Sequence, residues 1–360
     1  MARPLVTANQ VTFGRLFAIP VLCGLLYGGQ EAKLIALFVG TAIGFTDFLD
    51  GYLARKYGPT VLGGLMDPIA DKIFVAASLL CLADLDWVPW WRVHAVLVRE
   101  MVVTALRSSF EARQRTLRST YLAKVKTWVQ MFAIAVVVAL RIIPPAAMTI
   151  FFIAMSVAAA AAAVTALILR RRWPGIWIYA GFFVVGTTLH LVYGVDALLA
   201  MLFFAVIAVT WASAADYVVV AVRELAGGRD FHRSDTVRLV AGVLIPVLAA
   251  LCLDRLPIPT WPIIALICAE IFHGGLDNLL AHHGATAPTW TWAARTLGAS
   301  ALLAAALVIP WPWPWPRSAG LLVLAALLVS AVGTAIAFWK NRRFYLEEKL
   351  REKPMDAPAS

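Results

Sequence analysis

Apolar runs of about 17–25 residues recur along the whole 360-residue chain, each long enough to cross a bilayer as a helix. They fall at roughly 11–29, 33–54, 69–88, 91–110, 126–143, 147–170, 175–191, 194–223, 236–255, 261–282, 292–310 and 318–339. Inside a bilayer, backbone polar groups have no water to bond, so runs of this length predict helices. Hydrophobic residues make up 61% of the chain and charged ones 14%. Soluble domains hold only ~45–50% apolar residues. The expected fold is therefore all-α, a polytopic integral membrane helix bundle of about 12 transmembrane helices. Asn9, Gln10 and Thr12 interrupt the first run, and no small-residue cleavage site follows Gly28–Gly29. The first span is expected to be retained, not removed as a signal peptide.

Net charge is +10, and its placement matters more than its sum. Basic residues cluster after alternate spans, at Arg55–Lys56, Arg107–Lys126, Arg170–Arg172, Arg223–Arg233 and Lys340–Arg343. The intervening loops carry Trp and Pro instead, as in "DWVPWW" and "WPWPWPR". The positive-inside rule then places both termini in the cytoplasm, with an inner (cell) membrane location. Basic loops beside anionic headgroups account for the charge, so no nucleic-acid partner is expected. Cys23, Cys81, Cys252 and Cys268 lie in apolar runs without metal or redox spacing, and read as packing residues.

One stretch breaks the apolar pattern: "DFLDGYLARKYGPTVLGGLMDPIAD", Asp47 to Asp71. Asp47 and Asp50 are i and i+3 at the end of the second span. Asp67 and Asp71 are i and i+4 at the start of the third. Each pair shares a helix face, so two helices can aim four carboxylates at one place. Carboxylates that close repel unless a cation lies between them, and a hard divalent cation suits such an all-oxygen site. Gly51, Gly63 and Gly64 remove side-chain bulk nearby. Structural roles also fit: Asp67 before Pro68 reads as a helix N-cap, and Asp47 and Asp50 as partners of Arg55 and Lys56. Intramembrane ionisable groups are nonetheless functional by default.

The pattern D-x2-D-G-x2-A-R, then G-x3-D-x3-D, resembles the signature of the CDP-alcohol phosphatidyltransferases. It is carried by Asp47, Asp50, Gly51, Ala54, Arg55, Gly63, Asp67 and Asp71. One departure is the seven-residue gap between Arg55 and Gly63, where the family usually has eight. The resemblance implies that Asp47, Asp50, Asp67 and Asp71 hold two divalent cations, Mg²⁺ or Mn²⁺, on the diphosphate of a CDP-linked lipid, at the cytoplasmic face. It implies that Asp71 is also the base for the acceptor hydroxyl. Gly51, Ala54, Arg55 and Gly63 would then border the CDP moiety, as would Asn9, Thr12 and Arg15 in the opening segment "NQVTFGR". Thr12 also reads as a cap of the first helix.

"REMVVTALR" (Arg99–Arg107) and "KVKTWVQM" (Lys124–Met131) are similar to the corresponding stretches of bacterial phosphatidylglycerophosphate synthases. That resemblance implies CDP-diacylglycerol as donor and glycerol 3-phosphate as acceptor. Arg107, Lys124 and Lys126 are the cations expected to meet the acceptor phosphate. Arg99–Glu100, deeper in the span, reads as a structural ion pair. Other acceptors fit the same chemistry, among them phosphatidylglycerol in cardiolipin synthesis or an inositol phosphate.

Family members usually have about six spans, which residues 1–172 satisfy as a catalytic domain. Residues 173–360 form a second membrane region of about six helices. "TVRLVAGVLIPVLAALCL" (Thr236–Leu253) reads like "TFGRLFAIPVLCGLL" (Thr12–Leu26), and "GLDNLLAHHGA" (Gly275–Ala285) like "FLDGYLARKYG" (Phe48–Gly58). In that register Asp277 stands where Asp50 does, and His282 where Arg55 does. A degenerate repeat without the metal site is expected. His273, Asp277, His282 and His283 are too scattered to suggest a second metal centre. The family resemblance implies homodimers, whose partner's place a fused copy would fill through small residues such as Ala158–Ala163 and Ala301–Ala306. Twelve spans with a repeat also suit a transporter, but a carrier gives no reason for four aspartates at one helix-pair end.

Overall fold

A computed structural model describes residues 8–57, 61–111, 121–169, 174–227, 233–282, 289–309 and 315–342. Within the helices, a few side chains fall outside that description, including those of Asn9, residues 47–55, residues 61–65, Lys124 and His282. The described residues form twelve helices: α1 Ala8–Leu26, α2 Gln30–Tyr57, α3 Val61–Asp84, α4 Trp90–Glu111, α5 Tyr121–Ile142, α6 Pro145–Ile168, α7 Pro174–Tyr193, α8 Val195–Gly227, α9 Arg233–Arg255, α10 Trp261–His282, α11 Thr289–Val308 and α12 Trp315–Lys340. This is the all-helical membrane bundle that the apolar runs dictate. Six helices are long and apolar enough, among the described residues, to cross a membrane: α5, α6, α8, α9, α10 and α12. Large apolar side chains face outward, as a lipid surface requires; Phe17, Phe38 and Phe204 are about three-quarters exposed.

Several helices pack on their neighbour in sequence, α1 on α2, α3 on α4, α6 on α7, α7 on α8 and α11 on α12. Gly194 takes φ 83° after α7, and its N–H bonds the His190 carbonyl, a left-handed helix end that needs glycine. Because the helices alternate in direction, the end of α2, the start of α3, the end of α4 and the start of α5 meet at one end of the bundle.

Packing begins locally, with α1 on α2 and α3, and α2 on α5. The first six helices then meet the second six along a shared wall. There α3 packs on α10, α4 on α8, α9 and α10, and α5 on α8. Glycines permit the closest approaches. A Cβ on Gly275 of α10 would sit 2.3 Å from Ile69 Cδ1 on α3, and one on Gly242 of α9 would sit 3.3 Å from the Met101 backbone on α4. Small residues let membrane helices gain dispersion contacts that lipid cannot match. The alanines expected to play that part do not all do so: within Ala158–Ala163 only Ala163 is buried and Ala159 half-buried. Within Ala301–Ala306, Ala306 is fully buried and Ala304 and Ala305 half-buried, while Ala301 is exposed.

Candidate active site

α2 runs unbroken to Tyr57, so Asp47 and Asp50 lie on its last turns, as their spacing predicted. Their side chains lie outside the described residues, as do those of Asn9, Ala54, Arg55 and Lys124, and the placements of Gly51 and Gly63. α3 starts at Val61, earlier than expected, which corrects the capping role of Asp67: this residue lies inside the helix, and so does Pro68. Thr12 likewise sits within α1, which begins at Ala8, and does not cap it.

Both residues face the same junction. The Thr12 hydroxyl donates to Asp67 Oδ1. One turn further along α3, Asp71 Oδ1 accepts from Arg15 Nη1 at 2.6 Å. Arg15 is held in turn by Nε donating to Thr46 Oγ1 at 3.2 Å, just before Asp47 on α2. The Arg15 side chain is 1% exposed while that of Asp71 is 22% exposed. The carboxylates thus stand at the wet edge of a dry wall. Asp67 and Asp71 offer hard oxygen donors one turn apart, the donor chemistry of a divalent cation site. The guanidinium on Asp71 shows that this point accepts positive charge. Among the described residues no three His, Cys, Asp or Glu side chains gather as metal ligands, and the other two aspartates of the motif are outside them.

An apolar cavity of about 180 Å³ lies between α1, α2, α3 and α5, lined among others by Leu22, Gly44, Phe45, Phe74 and Phe132. Phe45 is two residues before Asp47, so the cavity starts beside the acidic helix ends. Phe45, Trp128 and Phe132 on its rim are exposed on the outer surface of the bundle.

On the other side of α3 the charge is mainly positive. Arg99 and Glu100 form the buried pair read from sequence, Nη1 to Oε1 at 3.1 Å. Lys126 closes on the same Glu100 oxygen from α5, so its ammonium is engaged within the bundle. Lys72 donates to Thr104 Oγ1 at 2.5 Å. Lys72, Arg99 and Lys126 lie near Glu100, and Arg107 lies near Lys72. Arg107 donates through Nη2 to Tyr217 of α8 at 2.6 Å, while its Nε is buried without a hydrogen-bond partner among the described residues.

The second half carries a different constellation. Asp277 is taken bidentately by Arg238, at 2.9 and 3.2 Å, and also accepts from Trp292 Nε1 at 3.1 Å. Glu270 is bound by Arg295 and by the Ser330 hydroxyl. His273 packs edge-on to Trp292, with ring centres 4.4 Å apart. These buried acids are matched by arginines, which is the arrangement of a structural network. The sequence did not single out Arg238, Arg295 or Tyr217. An arginine or tyrosine inside an otherwise apolar span was the available signal.

The model described as CDP-alcohol phosphatidyltransferase matches residues 5–167. A Bacillus subtilis (strain 168) protein named CDP-diacylglycerol–glycerol-3-phosphate 3-phosphatidyltransferase is 33% identical over 141 residues, covering 35% of this chain and 73% of that one. The chain belongs to the CDP-alcohol phosphatidyltransferase family. Two further relatives agree. A Rickettsia bellii (strain RML369-C) protein of the same name is 36% identical over 135 residues, 36% of this chain and 73% of the relative. A "probable phosphatidylglycerophosphate synthase" of Mycobacterium tuberculosis (strain H37Rv) is 39% identical over 136 residues, 36% of this chain. There the match spans 65% of the relative's length. The family match contains the whole Asp47–Asp71 motif together with Arg107, Lys124 and Lys126, and residues 168–360 lie beyond it.

Proposed function

We propose that this chain transfers the phosphatidyl group of CDP-diacylglycerol to the hydroxyl of glycerol 3-phosphate, releasing CMP and phosphatidylglycerophosphate. The observation that carries the reading is the eight-position motif inside the family match, on the adjoining ends of α2 and α3. Residues 1–172 are the catalytic half in this reading, and residues 173–360 support it.

Asp47, Asp50, Asp67 and Asp71 would hold two divalent cations, Mg²⁺ or Mn²⁺, which supply positive charge to the donor's diphosphate when bound. Thr12 orients Asp67, and Arg15 holds Asp71 in place through their ion pair. Asn9, Gly51, Ala54, Arg55 and Gly63 border the nucleotide. The apolar cavity beside Phe45 suits an acyl chain of the donor, entering past an exposed rim. Asp71 takes the proton of the acceptor hydroxyl, whose oxygen forms the new bond to the lipid-side phosphorus. The bond from that phosphorus to the bridging oxygen breaks, and CMP leaves with that oxygen and the electron pair. Arg107 meets the acceptor phosphate with its unpartnered donor. Lys124 and Lys126 add charge, Lys126 from its pair with Glu100. The site faces the cytoplasm, where both soluble reactant and product are handled.

The test is an acceptor panel. Purified protein, CDP-diacylglycerol and Mg²⁺ or Mn²⁺ are given glycerol 3-phosphate, phosphatidylglycerol, inositol phosphate or no acceptor, and CMP release is measured. Release that depends on glycerol 3-phosphate supports the reading. Release with phosphatidylglycerol or inositol phosphate alone replaces the acceptor, and none with any alcohol overturns the activity.

A further inference from the structure

Beyond the family match, α8 carries three buried polar side chains, Thr210, Ser213 and Tyr217. Spacings of three and four put them on one helix face. Each is bonded to a polar group of the matched half. Gln130 Nε2 donates to Thr210 Oγ1 at 3.1 Å, Arg99 Nη2 to Ser213 Oγ at 2.6 Å, and Arg107 Nη2 to Tyr217 Oη at 2.6 Å. The last contact is double, because the Arg107 guanidinium carbon also lies 5.1 Å from the centre of the Tyr217 ring. Thr210 and Ser213 reach groups already tied to Glu100, since Gln130 and Arg99 both touch that carboxylate. Tyr217 alone of the three holds a cation of the proposed acceptor site.

A guanidinium is a planar fork, so fixing one terminal nitrogen and one face fixes where the other N–H groups point. Tyr217 does both. It is 2% exposed, and its ring is anchored by packing against Val103 and Ala214. The Arg107 Nε donor is buried and has no hydrogen-bond partner among the described residues. A buried donor without an acceptor is costly, and an anionic oxygen is the partner that offsets the cost best.

We propose that Tyr217 is a positioning residue for the acceptor phosphate: from outside the matched catalytic region it orients Arg107 before the anion binds. This rests on the reading of Arg107 as the acceptor contact. It assigns residues 173–360 a part in acceptor affinity through α8, beyond bulk support. Fixing the fork in advance removes side-chain freedom that binding must otherwise remove, which lowers KM without touching the bond-forming step.

The experiment uses the full-length protein, with kcat and both KM values measured from CMP release for wild type, Tyr217→Phe, Arg107→Ala and the double variant. Tyr217→Phe keeps the ring and its packing and removes only the hydroxyl. The expected result is an acceptor KM raised roughly three- to tenfold, with kcat and the CDP-diacylglycerol KM held within about twofold. In the Arg107→Ala background the Phe substitution should add nothing, because its effect passes through Arg107. An unchanged acceptor KM in Tyr217→Phe overturns the proposal, as does an effect shared equally by kcat and both substrates, or one that adds to Arg107→Ala. If Arg107→Ala itself leaves the acceptor KM unmoved, the acceptor reading fails and takes the proposal with it. If Arg107→Ala raises it and Tyr217→Phe does not, only the role of Tyr217 falls.

Discussion

Arg15 on α1 and Asp71 on α3 form an ion pair of 2.6 Å beside the bond from Thr12 to Asp67, so one face of α1 meets both described carboxylates of the motif. The first helix is therefore part of the acidic site's wall and not merely a membrane anchor.

Removing either negative charge should stop the reaction. Asp67→Asn and Asp71→Asn keep the shape and lose the charge. CMP release is expected to fall about a hundredfold or more in each. Chelation should do the same to wild type and be reversed by excess Mg²⁺. Normal release from Asp67→Asn would leave that residue only its bond with Thr12.

Arg15 stands where a cation is wanted, and this has a consequence for stability. Arg15→Gln leaves Asp71 without its guanidinium, so neighbouring carboxylates repel more strongly. The variant should unfold at lower temperature than wild type without divalent ions. It should also gain more from added Mg²⁺, since a bound ion then relieves a larger repulsion. Thermal unfolding in detergent, with and without Mg²⁺, reads this directly. An equal Mg²⁺-induced shift in both proteins counts against a shared locus.

Glu100 is the counter-ion of Arg99 and Lys126 in the buried wall. Glu100→Gln strands two cations in a dry environment. The expected cost is about 3 kcal/mol or more, seen as a lower unfolding midpoint. Replacing Arg99 by Met as well should recover part of it, because the surplus charge is then reduced.

Asp277 should behave unlike the aspartates of the motif. Asp277→Asn weakens its clamp on Arg238 and its bond from Trp292. A loss of about 1–3 kcal/mol in stability is expected. Turnover per folded molecule should be kept within about twofold, since the residue touches no proposed substrate. Loss of CMP release from protein that remains folded would show the second half to be catalytic.

Much of this was legible in the residues. Bilayer-length runs gave the helices, since length and hydropathy are all a spanning helix requires. Asp47–Asp71 stood out as the candidate site because four carboxylates have no cheap place in an apolar bundle. Arg99–Glu100 was read correctly as a structural pair. The helix starts were not legible: Asp67–Pro68 looks like a cap, yet α3 begins at Val61 and carries its proline internally. Partnerships between distant spans were also hidden, as those of Arg107 with Tyr217 and Asp277 with Arg238. The repeat shows the same limit. Apolar text matched α10 to α2, because short greasy segments resemble one another easily. The buried ion pairs of α4 and α10 have similar spacing: Glu100 meets Lys126 26 residues later, and Glu270 meets Arg295 25 residues later. A charge pair inside a membrane protein is too costly to recur casually.

The stripe on α8 also bears on how the protein is made. Thr210 lies 80 residues after Gln130, Tyr217 110 after Arg107, and Ser213 114 after Arg99. At ordinary elongation rates the ribosome needs on the order of ten seconds to bridge those intervals. Through that time the fourth and fifth helices are in the membrane with guanidinium and amide groups whose final partners have not yet been translated. The region of the family match therefore gains these three bonds only after its own last residue has been synthesised.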